Sequence, residues 1–137
     1  GLLASIFWDD ATVVSGIVNG PGATFARDVV AYVTTHLAAC FHAIGNEWIE
    51  INGDHGVGEH YVMSHTTAAG QESTTGGRYI DRYERRAGVW KIASRTFVQD
   101  WTATHPTTQQ TDGLYAALTN HGQFGPADPV YAHWANA

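Results

Sequence analysis

The sequence predicts an α+β fold: a strongly curved antiparallel sheet, closed on one side by helices, forming a cone with an internal cavity. Three observations predict it. One strong amphipathic helix stands early in the chain. Long strand-like stretches separated by tight turns follow it. The 137 residues include 15 glycines together with five Trp, six Tyr and five Phe, a composition suited to many turns and a large aromatic interior. The length suits one domain over residues 1–137, with residues 105–137 as a C-terminal tail.

Residues 2–8 place apolar side chains at Leu2, Leu3, Ile6 and Phe7, a helical spacing over two turns. So short a helix is marginal alone, and the sequence predicts the end of a longer amphipathic helix truncated at Gly1. Asp9-Asp10 breaks it. Residues 12–18 are β-branched and predict a short strand, and Asn19-Gly20-Pro21-Gly22 predicts a turn. Over residues 24–40 the apolar positions Phe25, Val29, Val30, Tyr32, Val33, Leu37 and Cys40 recur close to a 3.6 period. Thr24 is the expected N-cap, with Asp28 favouring the helix dipole. Residues 41–51, 56–67, 73–86 and 89–104 are the expected long strands. Turns at Asn52-Gly53-Asp54, Ala69-Gly70-Gln71 and Ala87-Gly88 join them, and Gly76-Gly77 suggests a bulge. Such a series is an antiparallel meander. The tail carries a weak helical stretch at 114–118, then Gly- and Pro-rich sequence ending in Tyr131 and Trp134.

Seven Lys and Arg against 13 Asp and Glu give a net charge of −6, which argues against a nucleic-acid partner held through phosphates. Cys40 is the one cysteine, so neither an intrachain disulfide nor a Cys-rich zinc site is available. No apolar run approaches the roughly 18 residues of a membrane span, and no basic segment precedes an apolar one as in a signal peptide. A cytoplasmic globular domain without a membrane partner is the expectation. The eight histidines include His36, His42, His55, His60 and His65 but no HExxH pair, so no metal ligand is assigned. Gly76-Gly77 lacks the strand-to-helix context and the lysine of a phosphate loop. Arg78, Arg82, Arg85 and Arg86 alternate with Asp81 and Glu84 as on a solvated strand face.

This order of elements resembles the SnoaL-like branch of the NTF2-like superfamily. So do the strings Phe7-Trp8-Asp9-Asp10-Ala11-Thr12, His42 with Gly45-Asn46, Gly77-Arg78-Tyr79-Ile80-Asp81-Arg82-Tyr83-Glu84-Arg85-Arg86 and Gly88-Val89-Trp90-Lys91-Ile92-Ala93-Ser94-Arg95-Thr96. Within that branch the chain is similar to the hexachlorocyclohexane dehydrochlorinase and scytalone and bile-acid dehydratase group, over residues 1 to about 104. The resemblance implies a cone with a histidine inside, paired with an aspartate of the first helix. That histidine takes a proton from carbon while chloride or hydroxyl leaves. By position it corresponds to His42, and the family's pocket arginine to Arg95.

The residues themselves allow this chemistry. An imidazole is the natural base near neutral pH, although His42 also suits a hydrogen-bonded core position. Val89, Ala93, Arg95, Phe97 and Trp101 share one strand parity. An arginine among them is expected either to stabilise developing negative charge or to pair with Asp81, Glu84 or Asp100. Trp8, Tyr61, Tyr79, Phe97 and Trp101 are the expected pocket walls. The expected function is that of a cofactor-independent lyase or isomerase on a small hydrophobic substrate, needing neither metal nor organic cofactor. Its rivals are a non-catalytic ligand-binding or protein-interaction domain, and the small subunit of a ring-hydroxylating dioxygenase. A homo-oligomer is expected, a trimer before a dimer, because Trp48, Trp90 and Ile92 cannot all fit inside with the pocket residues.

Overall fold

The computed structural model describes residues 1–135; residues 136–137 of the expected tail lie outside the described residues. A short helix α1 (Leu2–Ser5) leads into strands β1 (Phe7–Val14) and β2 (Asn19–Pro21), then helix α2 (Gly22–His36). Strands β3 (Ala39–Asn52), β4 (His55–Ala68), β5 (Gln71–Arg86) and β6 (Val89–Pro106) follow. The tail carries a 3₁₀ turn at Gly113–Ala117 and helix α3 (Pro129–Trp134). The six strands form one sheet in the order β2-β1-β6-β5-β4-β3. From β3 to β6 every neighbour is antiparallel, the expected meander. The sheet as a whole is mixed rather than antiparallel, because β1 lies parallel to β6. It is open, with β2 and β3 at its two edges.

The core lies between α2 and the β1–β6 end of the sheet: Phe7, Ala11, Val13, Phe25 and Ile92. Phe25 meets Phe7 edge to face at 5.9 Å. A Cβ on Gly22 would sit 2.5 Å from Phe7 Cβ, so only glycine lets α2 start this close to β1. Pro21 rather than Thr24 is the N-cap, without a side-chain bond, and Asp28 pairs with Arg27 instead of serving the first turn. Leu37 is already extended, at φ −109° and ψ 142°, so Leu37 and Cys40 leave the helix and Cys40 enters β3. At the other end, Phe7 and Trp8 belong to β1 and not to the opening helix. Of Trp48, Trp90 and Ile92, which are not all expected inside, Ile92 is core, while Trp48 and Trp90 are 54% and 38% exposed.

The Gly76-Gly77 bulge is present. Gly77 pairs with Gln99 while Gly76 pairs with Trp101, leaving Asp100 as the extra residue. A second bulge leaves Ala93 extra between the pairs Tyr83–Ile92 and Arg82–Ser94. Each extra residue reverses the alternation of side chains along β6. Arg95 and Phe97 therefore face the same side as Ile92 and α2, whereas Val89 and Trp101 face the other. Pairing carries this concave side across the sheet: Tyr79, Asp81 and Tyr83 on β5, His60 and Val62 on β4, His42 on β3.

Candidate active site

His42 stands near the start of β3, opposite Ser64. Its Nδ1 lies 3.4 Å from Cys40 Sγ, two residues away on the same face. Among the described residues no carboxylate reaches the His42 ring. The side chain is open to solvent at the sheet edge, yet the surrounding protein strips enough water to lower its pKa. The same burial pushes the Cys40 thiol up. Burial thus disfavours the charged form of both groups. In the tautomer that directs Nδ1–H at the thiol sulfur, a weak acceptor, the Nε2 lone pair is the basic one.

Arg95 lies on β6 against Asp81 of β5, its cross-strand partner. Its Nε donates to Asp81 Oδ1 at 2.8 Å and its Nη2 to Oδ2 at 2.6 Å, a bidentate pair. Asp81 is fully buried. Burial opposes the Arg95 charge, but the hydrogen bonds and charge of Asp81 outweigh it and raise the pKa. The pair consumes only two of the three guanidinium nitrogens. Nη1 has no protein partner among the described residues, and no buried side-chain nitrogen or oxygen lacks one, so Nη1 opens onto accessible space.

Tyr79 lies beside Arg95. Its ring lies 4.2 Å from the Arg95 guanidinium carbon and 5.7 Å from Phe97. Its hydroxyl pKa is raised by burial, a rise that the Arg95 charge opposes and the Asp81 charge reinforces. The structure thus brings His42, Tyr79, Phe97 and Arg95 to one face. The other three expected walls lie elsewhere. Tyr61 alternates with buried His60 and Val62, so it points outward, beneath Arg78. Trp101 is reversed by the Asp100 bulge and packs over Gly76, where a Cβ would strike its ring. Trp8 sits between Arg86 at 4.9 Å and Lys91 at 5.2 Å, with Nε1 donating to the Glu84 carbonyl. Tyr131 and Trp134 of the tail contact each other at 5.4 Å.

Sequence reasoning missed three groups on this face. Tyr83 Oη donates to Asp81 Oδ2 at 2.9 Å. His60 Nε2 lies 2.5 Å from Tyr83 Oη, and His60 Nδ1 lies 3.2 Å from Glu47 Oε1. The signal was the alternation Gly56-x-Gly58-x-His60: a Cβ on Gly58 would sit 2.8 Å from His60 Nε2 and 2.9 Å from Tyr83 Cε2. Among the described residues no cluster of three or more His, Cys, Asp or Glu is placed to hold a metal ion. Among the described residues no helix is long and apolar enough to cross a membrane.

An open six-stranded sheet, with α2 packed at its β1 end and with His42 and Arg95 on one face, defines a small α+β domain. The family model of the SnoaL-like domain matches residues 1–96, and the chain belongs to that family. It is 32% identical over 100 residues to the γ-hexachlorocyclohexane dehydrochlorinase of Sphingobium indicum, which covers 69% of this chain and 64% of that protein. It therefore spans just under two thirds of the length of that relative. The crystal structure of LinA superposes with a TM-score of 0.69 at 30% identity, covering 77% of this chain and 74% of that one. A putative scytalone dehydratase from Novosphingobium aromaticivorans shares the fold, with a TM-score of 0.65 at 18% identity over 74% and 71% of the two chains.

Proposed function

We propose that this chain is a cofactor-independent lyase acting on a small hydrophobic molecule, and that it eliminates a leaving group such as chloride or hydroxide. His42 Nε2 takes a proton from carbon, the electrons form the new double bond, and the leaving group departs with its pair from the adjacent carbon. Arg95 Nη1 meets the negative charge that develops on it. Tyr79 and Phe97 hold the apolar body of the substrate. One observation supports the reading: His42 and a guanidinium with an uncommitted nitrogen share the concave face. The likeness to dehydrochlorinases supports the same chemistry. The test is chloride release from γ-hexachlorocyclohexane and related polychlorinated cyclohexanes, and loss of water from β-hydroxy carbonyl compounds, by the metal-free protein. Release above the uncatalysed rate is expected; no turnover across both panels would contradict the proposal.

A homo-oligomer, a trimer before a dimer, is part of the same proposal. Trp48, Tyr61, Met63, Ile80 and Trp101 lie on the outer sheet face and are all exposed. Five large apolar side chains on one face, around the ion-paired Arg78 and Glu59, suit a surface that a second copy covers.

A further inference from the structure

Behind Arg95 runs a chain of polar groups that proton abstraction does not use: Glu47, His60, Tyr83 and Asp81. The directions of its hydrogen bonds follow by counting hydrogens. An ionised Asp81 only accepts. It takes two bonds from Arg95 and a third from Tyr83 Oη. That third bond spends the single hydroxyl hydrogen of Tyr83. The 2.5 Å contact between Tyr83 Oη and His60 Nε2 then requires Nε2–H as the donor. On the other side of the ring, Nδ1 faces a Glu47 carboxylate oxygen at 3.2 Å, and this too requires N–H. A neutral imidazole has one such hydrogen; the chain asks for two.

We propose that His60 is held as an imidazolium between Glu47 and Tyr83, and that it is a positioning residue for Arg95. Resting on the lyase reading, the role is twofold. Through Tyr83 it fixes the rotamer of the Asp81 carboxylate, and so the plane of the guanidinium and the direction of Nη1. Its charge, 3.6 Å from Asp81 Oδ2, also offsets the carboxylate that Arg95 otherwise faces alone. An arginine in a neutral pair is a poor host for a departing anion. With His60 charged, the three buried or half-buried groups keep a net positive charge. Burial supports this division of labour: His60 is 6% exposed and Asp81 0%, while the balancing Glu47 carboxylate reaches solvent. Gly58 leaves the space in which His60 and Tyr83 meet.

The experiment is NMR on the full-length resting protein, labelled with ¹⁵N in histidine and arginine, near neutral pH. It needs no substrate, so it succeeds or fails independently of turnover. The expected result is N–H on both ring nitrogens of His60 and a slowly exchanging Arg95 Nε–H. In Tyr83→Phe and His60→Leu the Arg95 Nε–H should exchange at least tenfold faster. In His60→Gln, which keeps an N–H donor close to the Nε2 position, slow exchange should return; a purely space-filling role would not distinguish Gln from Leu. Near-ultraviolet circular dichroism checks folding, and Tyr83→Phe, nearly isosteric, stands in if His60→Leu does not fold. A singly protonated His60 ring, or unchanged Arg95 exchange in Tyr83→Phe, would overturn the proposal.

Discussion

At the scale of single residues, the site is set by what each ionisable group keeps uncommitted. Among the described residues, His42 has a sulfur and no carboxylate on Nδ1, and Arg95 has Asp81 on two nitrogens and no partner on the third. Two predictions belong here. Burial disfavours the imidazolium of His42 and lowers its pKa from the ordinary 6.5. The free base therefore persists to more acid pH, and the acidic limb of the rate–pH profile should have its midpoint below 6.5. A midpoint above that value would show that another group, or a carboxylate-paired histidine, is the base. The second concerns Asp81→Ala, which strands the Arg95 charge in a largely buried site. Removing one partner of such a pair costs about 3–5 kcal/mol, to be read as a lower urea midpoint. A loss below about 1 kcal/mol would mean that the guanidinium simply swings into water.

At the scale of elements, β5 and β6 carry most of the information. Gly76 and Gly77 shelter two aromatic rings on opposite faces, Trp101 outside and Phe97 inside. Gly77→Ala would drive a Cβ into Phe97 and the Val98 carbonyl. The expected cost is about 1–3 kcal/mol, with a lower melting temperature, whereas an unchanged melting temperature would refute the packing. The four long strands, their turns and this bulge were legible in the sequence, because β-branched alternation and Gly-containing turns are local signals. The face of Trp101 was not. It depends on one extra residue, Asp100, and a bulge cannot be placed by counting parity along a single strand. The Ala93 bulge had no signal at all. Likewise Arg95 was readable as half-buried and paired, with Asp81 among three candidate partners, but the choice needed the register between β5 and β6. His60 was passed over because it was weighed as a metal ligand against His55 and His65. Its real partners, Glu47 and Tyr83, come from other strands.

At the scale of the whole molecule, the sheet is open and has two unlike sides. The concave side holds α2, the core and the proposed site. The outer side exposes Trp48, Tyr61, Met63, Ile80 and Trp101, and β3 lies at an edge. If copies of the chain associate through that outer face, Met63→Glu should bring sedimentation at micromolar concentration down to the monomer mass of 14.8 kDa. A wild-type protein already sedimenting at that mass would refute the oligomer. On the concave side, the central claim is that His42 is the base of an elimination reaction. The most direct test compares initial rates of the wild-type protein and a folded His42→Ala variant on a compound that the wild type turns over. Loss of a general base costs about 10²–10⁴-fold, and that loss in kcat is the predicted result; turnover by His42→Ala at the wild-type rate would contradict it.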